Sequence, residues 1–341
     1  MIKFCNMYGD IIITFNDYDQ YKYFYHIKAY MLNNKSYCYC NFVYNDNIIK
    51  DYEELINYNN ETVIVVILSL SYNKYKLLDW ININKLDWAM LSLNPNAIYL
   101  LQYNFSKIQW RYITSNPNAI HILENNLDKI HWKFLSLNSN AIHILENNFD
   151  KIHWFYLCFN PNAIHILENN FHKIDWCNLS LNPNAIHMLE NNFEKINWFN
   201  LSKNPNAIHI LEKNIDKINW KYLSSNPNAI DILENNFIKI DWKNLSSNPN
   251  AIHILKKNTD RVYWRNLSSN PNAIDILEKK FHKIDWISLS SNPNAIHILK
   301  NNIDKIYWSS LSKNPNAIDI LKNNLDKIDW RYLSGNPSIF I

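Results

Sequence analysis

From Trp88 onward, apolar and polar positions recur with a period of 22 residues. Tryptophan marks the period at Trp88, Trp110, Trp132, Trp154, Trp176, Trp198, Trp220, Trp242, Trp264, Trp286, Trp308 and Trp330. A fixed period of this length signals a repeat architecture and must be read before local detail. The unit reads Trp-x-x-Leu-Ser-x-Asn-Pro-Asn-Ala-Ile-x-Ile-Leu-Glu-x-Asn-x-Asp-Lys-Ile-x. All eleven prolines fall in one column, interrupted only by Ser139, and each follows an Asn. Asn-Pro predicts a helix start, with Asn116 as the cap and Pro117 in the first helical position. Ile120 and Leu123 then share one face, with Ala119 allowing close approach. Glycine is almost absent, so Asn126 is the expected left-handed residue ending this helix. A second helix follows, with Asp128 as its expected cap and Ile130, Trp132 and Leu135 as its apolar residues.

Two helices of about two turns each cannot bury a core alone. The expected fold is therefore mainly α: an α-solenoid of two-helix 22-residue repeats. Eleven full units span residues 88–329, and residues 330–341 form a truncated twelfth. At ~8–10 Å per packed layer the array would extend on the order of 100 Å. Residues 338–341 would then fold over its open end, and the near-identical units would allow edge-to-edge association. A leucine-rich β-solenoid is the alternative, because Leu-x-x-Asn recurs, as at Leu135 and Asn138. That fold needs a Leu after the key Asn, where this unit has Pro-Asn.

The Asn-Pro-Asn-Ala-Ile and Asp-Lys-Ile-x-Trp columns resemble repeat arrays of mimivirus-like giant DNA viruses. The resemblance covers about three quarters of the chain. The bias toward Asn, Ile, Lys and Tyr fits the AT-rich genome that this origin implies. It implies expression in an amoebal host and no particular activity.

Composition narrows the function. Of 341 residues 47% are hydrophobic and 19% charged, which suits a packed core. The only glycines are Gly9 and Gly335, so no Gly-rich phosphate loop or dinucleotide fingerprint can be built. A net charge of +3 does not demand a polyanionic partner. The cysteines are Cys5, Cys38, Cys40, Cys158 and Cys177. An odd count with no signal peptide ahead of it predicts reduced thiols in a cytosolic compartment, here the host cytoplasm or the virion. Cys38 and Cys40 lack the second pair a zinc site needs, and no metal or cofactor is expected. Val63 to Leu68 is too short an apolar run to cross a bilayer, so no membrane role is expected.

Residues 1–75 lack the repeat, and residues 76–87 read as a linker and N-terminal cap of the array. Apolar stretches at Ile2–Met7 and Ile11–Phe15 predict a β-hairpin, Asp19–Leu32 a helix, and Tyr39–Tyr44 and Thr62–Leu68 further strands. This β-β-α-β-β order, with Phe42-Val43-Tyr44 through Asp51-Tyr52-Glu53-Glu54-Leu55-Ile56-Asn57-Tyr58 and Glu61–Ile67, resembles ubiquitin. The resemblance implies a small β-grasp domain and a partner-binding apolar patch at Val43 and Val66. It departs from ubiquitin at Ser69-Leu70-Ser71, where no Gly-Gly follows, so conjugation is not implied. The lysine most used for ubiquitin chains falls at Asn47. Another small α+β cap for the array remains the alternative.

Three columns are candidate sites. Lys239, Arg261, Lys283, Lys305 and Lys327 belong to a basic column, a candidate phosphate stripe. Asp residues such as Asp128 and Asp326 directly precede it, which predicts a salt-bridged ridge. A His or Asp column runs from His121 to Asp319, with rungs about 10 Å apart, too far for one zinc. The two positions after each Trp vary most, as in Arg111-Tyr112 and Lys133-Phe134, and are the candidate specificity residues. No nucleophile, base and orienter stand out from the repeated residues. The expectation is a non-enzymatic adaptor for an unknown protein, with a host ubiquitin-pathway component as one candidate. A nucleic-acid-binding array and a structural virion component are the alternatives.

Overall fold

The computed structural model describes residues 2–5, 11–15, 39–44, 47–49, 62–69 and 75–341. The helix expected at Asp19–Leu32 lies outside them. The described N-terminal segments are β1 (Ile2–Cys5), β2 (Ile11–Phe15), β3 (Tyr39–Tyr44), β4 (Asn47–Ile49) and β5 (Thr62–Ser69). They pair into one sheet in the order β2-β1-β5-β3-β4. β1 and β5 run parallel, and the other neighbours are antiparallel.

The rest of the chain is helical and regularly repeated. Each unit opens with a short Trp helix, for example Trp132–Leu135, and continues with an Ile helix, for example Ile142–Glu146. In most units a 3-10 turn follows, such as Leu127–Lys129. The boundaries differ from the sequence expectation for one reason: the Asn side chains are used elsewhere. Asn116 Oδ1 accepts from Asn118 N two residues on, forming an Asx turn, so the helix waits until Ile120. Asn126 has φ −144°, not a left-handed value. Its Nδ2 donates to Ile122 O and its N–H to Leu123 O, which satisfies the helix end without positive φ. Asp128 sits inside the 3-10 turn, and the cap of the second helix is the residue before Trp. Asp175, for example, accepts from Asn178 N at 2.8 Å.

Neighbouring units share one continuous apolar core. The Leu of the Trp helix, the Ala before the Ile helix and the Leu within it are completely buried in unit after unit, as with Leu201, Ala207 and Leu211. A fully buried Asn ladder runs beside this core. Asn204 Nδ2 donates to Ser180 O (3.1 Å) and Asn182 O (3.0 Å) of the preceding unit, while its Oδ1 accepts from Asn206 N. All twelve units, from Asn94 to Asn336, make this double donation. Beside it, each buried Ser accepts a backbone N–H from the next unit, as Ser180 does from Asn197 N at 3.0 Å.

The first unit's bonds go to the last. Asn94 Nδ2 donates to Ser334 O and Asn336 O, both at 3.0 Å, and Asp87 N donates to Ser334 Oγ at 2.8 Å. The array therefore closes into a ring, and the expected open solenoid with a capped end is not what forms. Residues 330–341 supply the first half of the twelfth unit, and residues 76–87 supply the second. Ile83–Lys85 is its 3-10 turn, and Lys85 lies over the Trp330 ring at 5.1 Å. A short antiparallel bridge joins the halves: Lys76 N to Ile341 O, Ile341 N to Lys76 O, and Leu78 N to Ile339 O. Ile339 and Phe340 are buried at this seam. Met90 of the first unit fills the space a side chain would take at Gly335, where an added Cβ would meet Met90 Cε at 2.8 Å.

One rung differs. Cys158 stands in the Ser column, where its Sγ accepts from Asp175 N at 3.3 Å. Burial pushes this thiol up to about 11. The folded state thus holds the proton that the unfolded chain releases at lower pH. The resulting stabilisation is present below the ordinary thiol range and lost as pH rises toward 11. Cys177 is exposed. A maleimide at neutral pH, read peptide by peptide, is expected to modify Cys177 at once and Cys158 only when urea opens the ring. Equal labelling of both in native buffer would refute the placement of Cys158.

Candidate functional site

The basic column lies against the tryptophans. Lys217 Nζ is 4.8 Å from the centroid of Trp198, one unit back, and 4.5 Å from Phe193. Lys239 lies over Trp220 (4.8 Å), Arg261 over Trp242 (5.3 Å), Lys305 over Trp286 (5.0 Å) and Lys327 over Trp308 (5.0 Å). Lys283 is exposed in the same column. The Trp rings are half-buried against the core, and a Phe edge often meets them, as Phe193 meets Trp198 at 5.2 Å. Such stacking stabilises each junction by about 0.5–1 kcal/mol where exposed. In this column Lys151 pairs with its neighbour Asp150 at 3.1 Å.

The His column also joins units. His165 Nε2 is 2.8 Å from Glu146 of the preceding unit, His187 2.6 Å from Glu168, His209 2.8 Å from Glu190, His253 2.7 Å from Glu234 and His297 2.8 Å from Glu278. His143 and Glu124 pair in the same way. Where the Glu position holds Lys256, the His position holds Asp275, and the pair reforms with reversed charge at 3.0 Å. Lys300 and Asp319 repeat this reversal at 4.0 Å. The Lys256 ammonium beside Asp275 holds its carboxyl below the usual range. That pair is therefore intact at neutral pH and lost as pH falls through the lowered value. Half-exposed pairs of this kind contribute little each, so the column reads as a junction device. Among the described residues no group of three or more His, Cys, Asp or Glu could hold a metal ion.

The positions after Trp behave differently, because they lie outside the buried ladders and many of them remain exposed, as Phe155 and Phe199 do, while Asn178 and Asn200 are buried and donate to the preceding unit. The first and second residues after Trp and the residue after the buried Ser meet in several units, as Phe155, Tyr156 and Phe159 do. Lys203 shows how they connect: its Nζ is 4.9 Å from Phe199 of its own unit and 3.9 Å from Tyr222 of the next. Phe199 meets Tyr222 edge-on at 4.2 Å. Arg111 lies over Phe134 at 5.4 Å, Lys133 over Tyr156 at 4.7 Å and Lys313 over Tyr332 at 3.7 Å, each across a unit boundary. The Met90–Gly335 contact carries the same relation across the seam. Arg111, Tyr112, Lys133 and Phe134, singled out from the sequence, thus belong to a closed belt around the ring.

The belt has a composition of its own. Across twelve units it holds eight cations and eight aromatic residues, and no Asp or Glu. The whole chain has 31 acidic residues, so their absence here is selective. Five carboxylates border it: Asp87, Asp175, Asp241, Asp285 and Asp329 each cap their helix by accepting the backbone N–H of the second residue after Trp, and Asp241 also accepts from Asn244 Nδ2 at 3.0 Å.

Val43 and Val66 lie on neighbouring strands of the N-terminal sheet. Val43 is opposite Ile64 and Val66 opposite Asn41, which makes them diagonal neighbours. Among the described residues no helix is long and apolar enough to cross a membrane. No protein-family model, curated protein or solved structure matches the chain.

Proposed function

We propose that this protein is a non-enzymatic binding scaffold: a closed helical ring that presents a recognition belt, joined to a ubiquitin-like adaptor domain. One observation carries the reading. The buried polar side chains of the ring are spent on holding units together, and among the described residues none lacks a hydrogen-bond partner. Catalysis requires a singular, aimed set of groups. Here the singular residues lie on the exposed belt, where recognition takes place.

The adaptor half rests on the first strands. The sheet order β2-β1-β5-β3-β4, with β1 and β5 parallel, supports a β-grasp reading of residues 1–75. The likeness to ubiquitin supports a ubiquitin-pathway component as protein partner, docking at Val43 and Val66. The repeat's likeness to giant-virus arrays supports action in the host cytoplasm.

The test is affinity capture from amoebal lysate with the full chain, read by mass spectrometry. Val43→Asp with Val66→Asp is compared with Arg111→Glu with Lys133→Glu. The proposal expects a host protein that one pair of substitutions releases. A bound set unchanged by both pairs would overturn it.

A further inference from the structure

We propose that the belt binds single-stranded nucleic acid, with phosphates on its Arg and Lys residues and bases stacked on its aromatic rings. The inference rests on the scaffold reading and names the ligand chemistry of the same surface. Charge is the first argument. The belt positions hold no carboxylate and, among the described residues, none of the belt cations is ion-paired, whereas in the other basic column Lys151 is paired with Asp150; such a surface suits a polyanion. Alternation is the second. At Arg111–Phe134, Lys133–Tyr156, Lys203–Tyr222 and Lys313–Tyr332 a cation and a ring from consecutive units sit side by side. A nucleic-acid strand alternates the same two features, a charged phosphate and an apolar base face. Sites for single strands combine a basic track with stacking platforms in this way.

Exposure is the third argument. Phe155 is 47% exposed and Phe199 45%, so their rings have surface left for a base. A duplex hides its base faces and would use only the cations, which predicts preference for the single strand. An acidic protein would likewise use the cations. It is the competing occupant, and the test separates the two.

The experiment is fluorescence anisotropy of a labelled thymidine oligonucleotide of about 20 nucleotides with the full chain. The expected result is saturable binding that weakens roughly tenfold or more between about 50 and 200 mM salt. Lys133→Glu with Lys221→Glu and Lys243→Glu should abolish it. Phe155→Ala with Phe199→Ala should weaken it roughly fivefold or more, because each substitution removes a ring on which a base stacks. Lys239→Glu with Lys305→Glu, in the other basic column, should leave it within about twofold, because those cations lie outside the belt. Circular dichroism of each variant, matching wild type, confirms that the ring is intact.

No binding by the wild type at about 50 mM salt would overturn the inference, at a concentration where specific sites saturate. Equal affinity for an abasic strand of the same length would also overturn it, since the rings would then contribute nothing. Loss in the Lys239/Lys305 variant with retention in the belt variant would do so as well. If the wild type ignores the oligonucleotide while belt substitutions release a protein from lysate, the scaffold reading survives and this inference fails.

Discussion

Asn204→Asp will destabilise the ring by about 3–5 kcal/mol, read as a fall in the urea midpoint at constant slope. The side chain is completely buried and donates to two carbonyls of the preceding unit. A carboxylate of the same shape can only accept, so it faces two carbonyl oxygens with nothing to offer them. Protonation would restore one donor and leave the second carbonyl unpaired. Asn206→Ala is the comparator. Its exposed Nδ2 donates once, to Pro183 O at 3.0 Å, and its loss should cost about 0.5–1.5 kcal/mol. Similar costs for the two substitutions would remove the ladder from its place in the stability of the fold.

The second large effect is at the seam. Deleting residues 337–341 removes buried Ile339 and Phe340 and the backbone bonds to Lys76 and Leu78. The acceptor for Asn96 Nδ2, Pro337 O, goes with them. The expected loss is about 5 kcal/mol or more, since removing one large buried side chain costs about 2–5 kcal/mol. The exposed faces of the opened ring are complementary, so chains should also pair with one another at high concentration. Size-exclusion chromatography with small-angle scattering would show a larger radius of gyration and concentration-dependent dimers. An unchanged radius and midpoint would show that closure does not depend on the seam.

The repeat itself is legible because Trp, Leu and Ile recur where helices must bury them. The two-helix unit follows from the same columns. Helix boundaries were less legible, because Asn serves several roles that look alike in sequence. Asn116 caps nothing in its own helix. Its side chain braces a turn and reaches into the preceding unit. Closure was hidden because residues 76–87 match only half a unit. Asn82, Lys85 and Leu86 keep its Asn, Lys and apolar columns, but Asp79 and Trp80 stand where other units have Leu and Glu. The usable signal was arithmetic: 12 residues after the eleventh full unit and 12 before the first Trp of the array make one more near-unit. The belt was partly visible as variable positions. Its lack of acid required knowing that the residue after the buried Ser joins the two after Trp, as Lys203 does with Phe199 and Tyr222.

Closure also bears on how such a gene can change. Near-identical units recombine readily, and an open solenoid tolerates the gain or loss of one because only an interface at the gap is disturbed. Twelve units in a circle turn by about 30° at each junction. Losing one would force about 33° on all the others, straining every rung of the Asn ladder together. The ring therefore penalises copy-number drift that its own repetitive sequence invites, and substitution within units becomes the open route to diversity. The belt positions, which stand outside the buried Asn and Ser ladders, are where that diversity is free to accumulate.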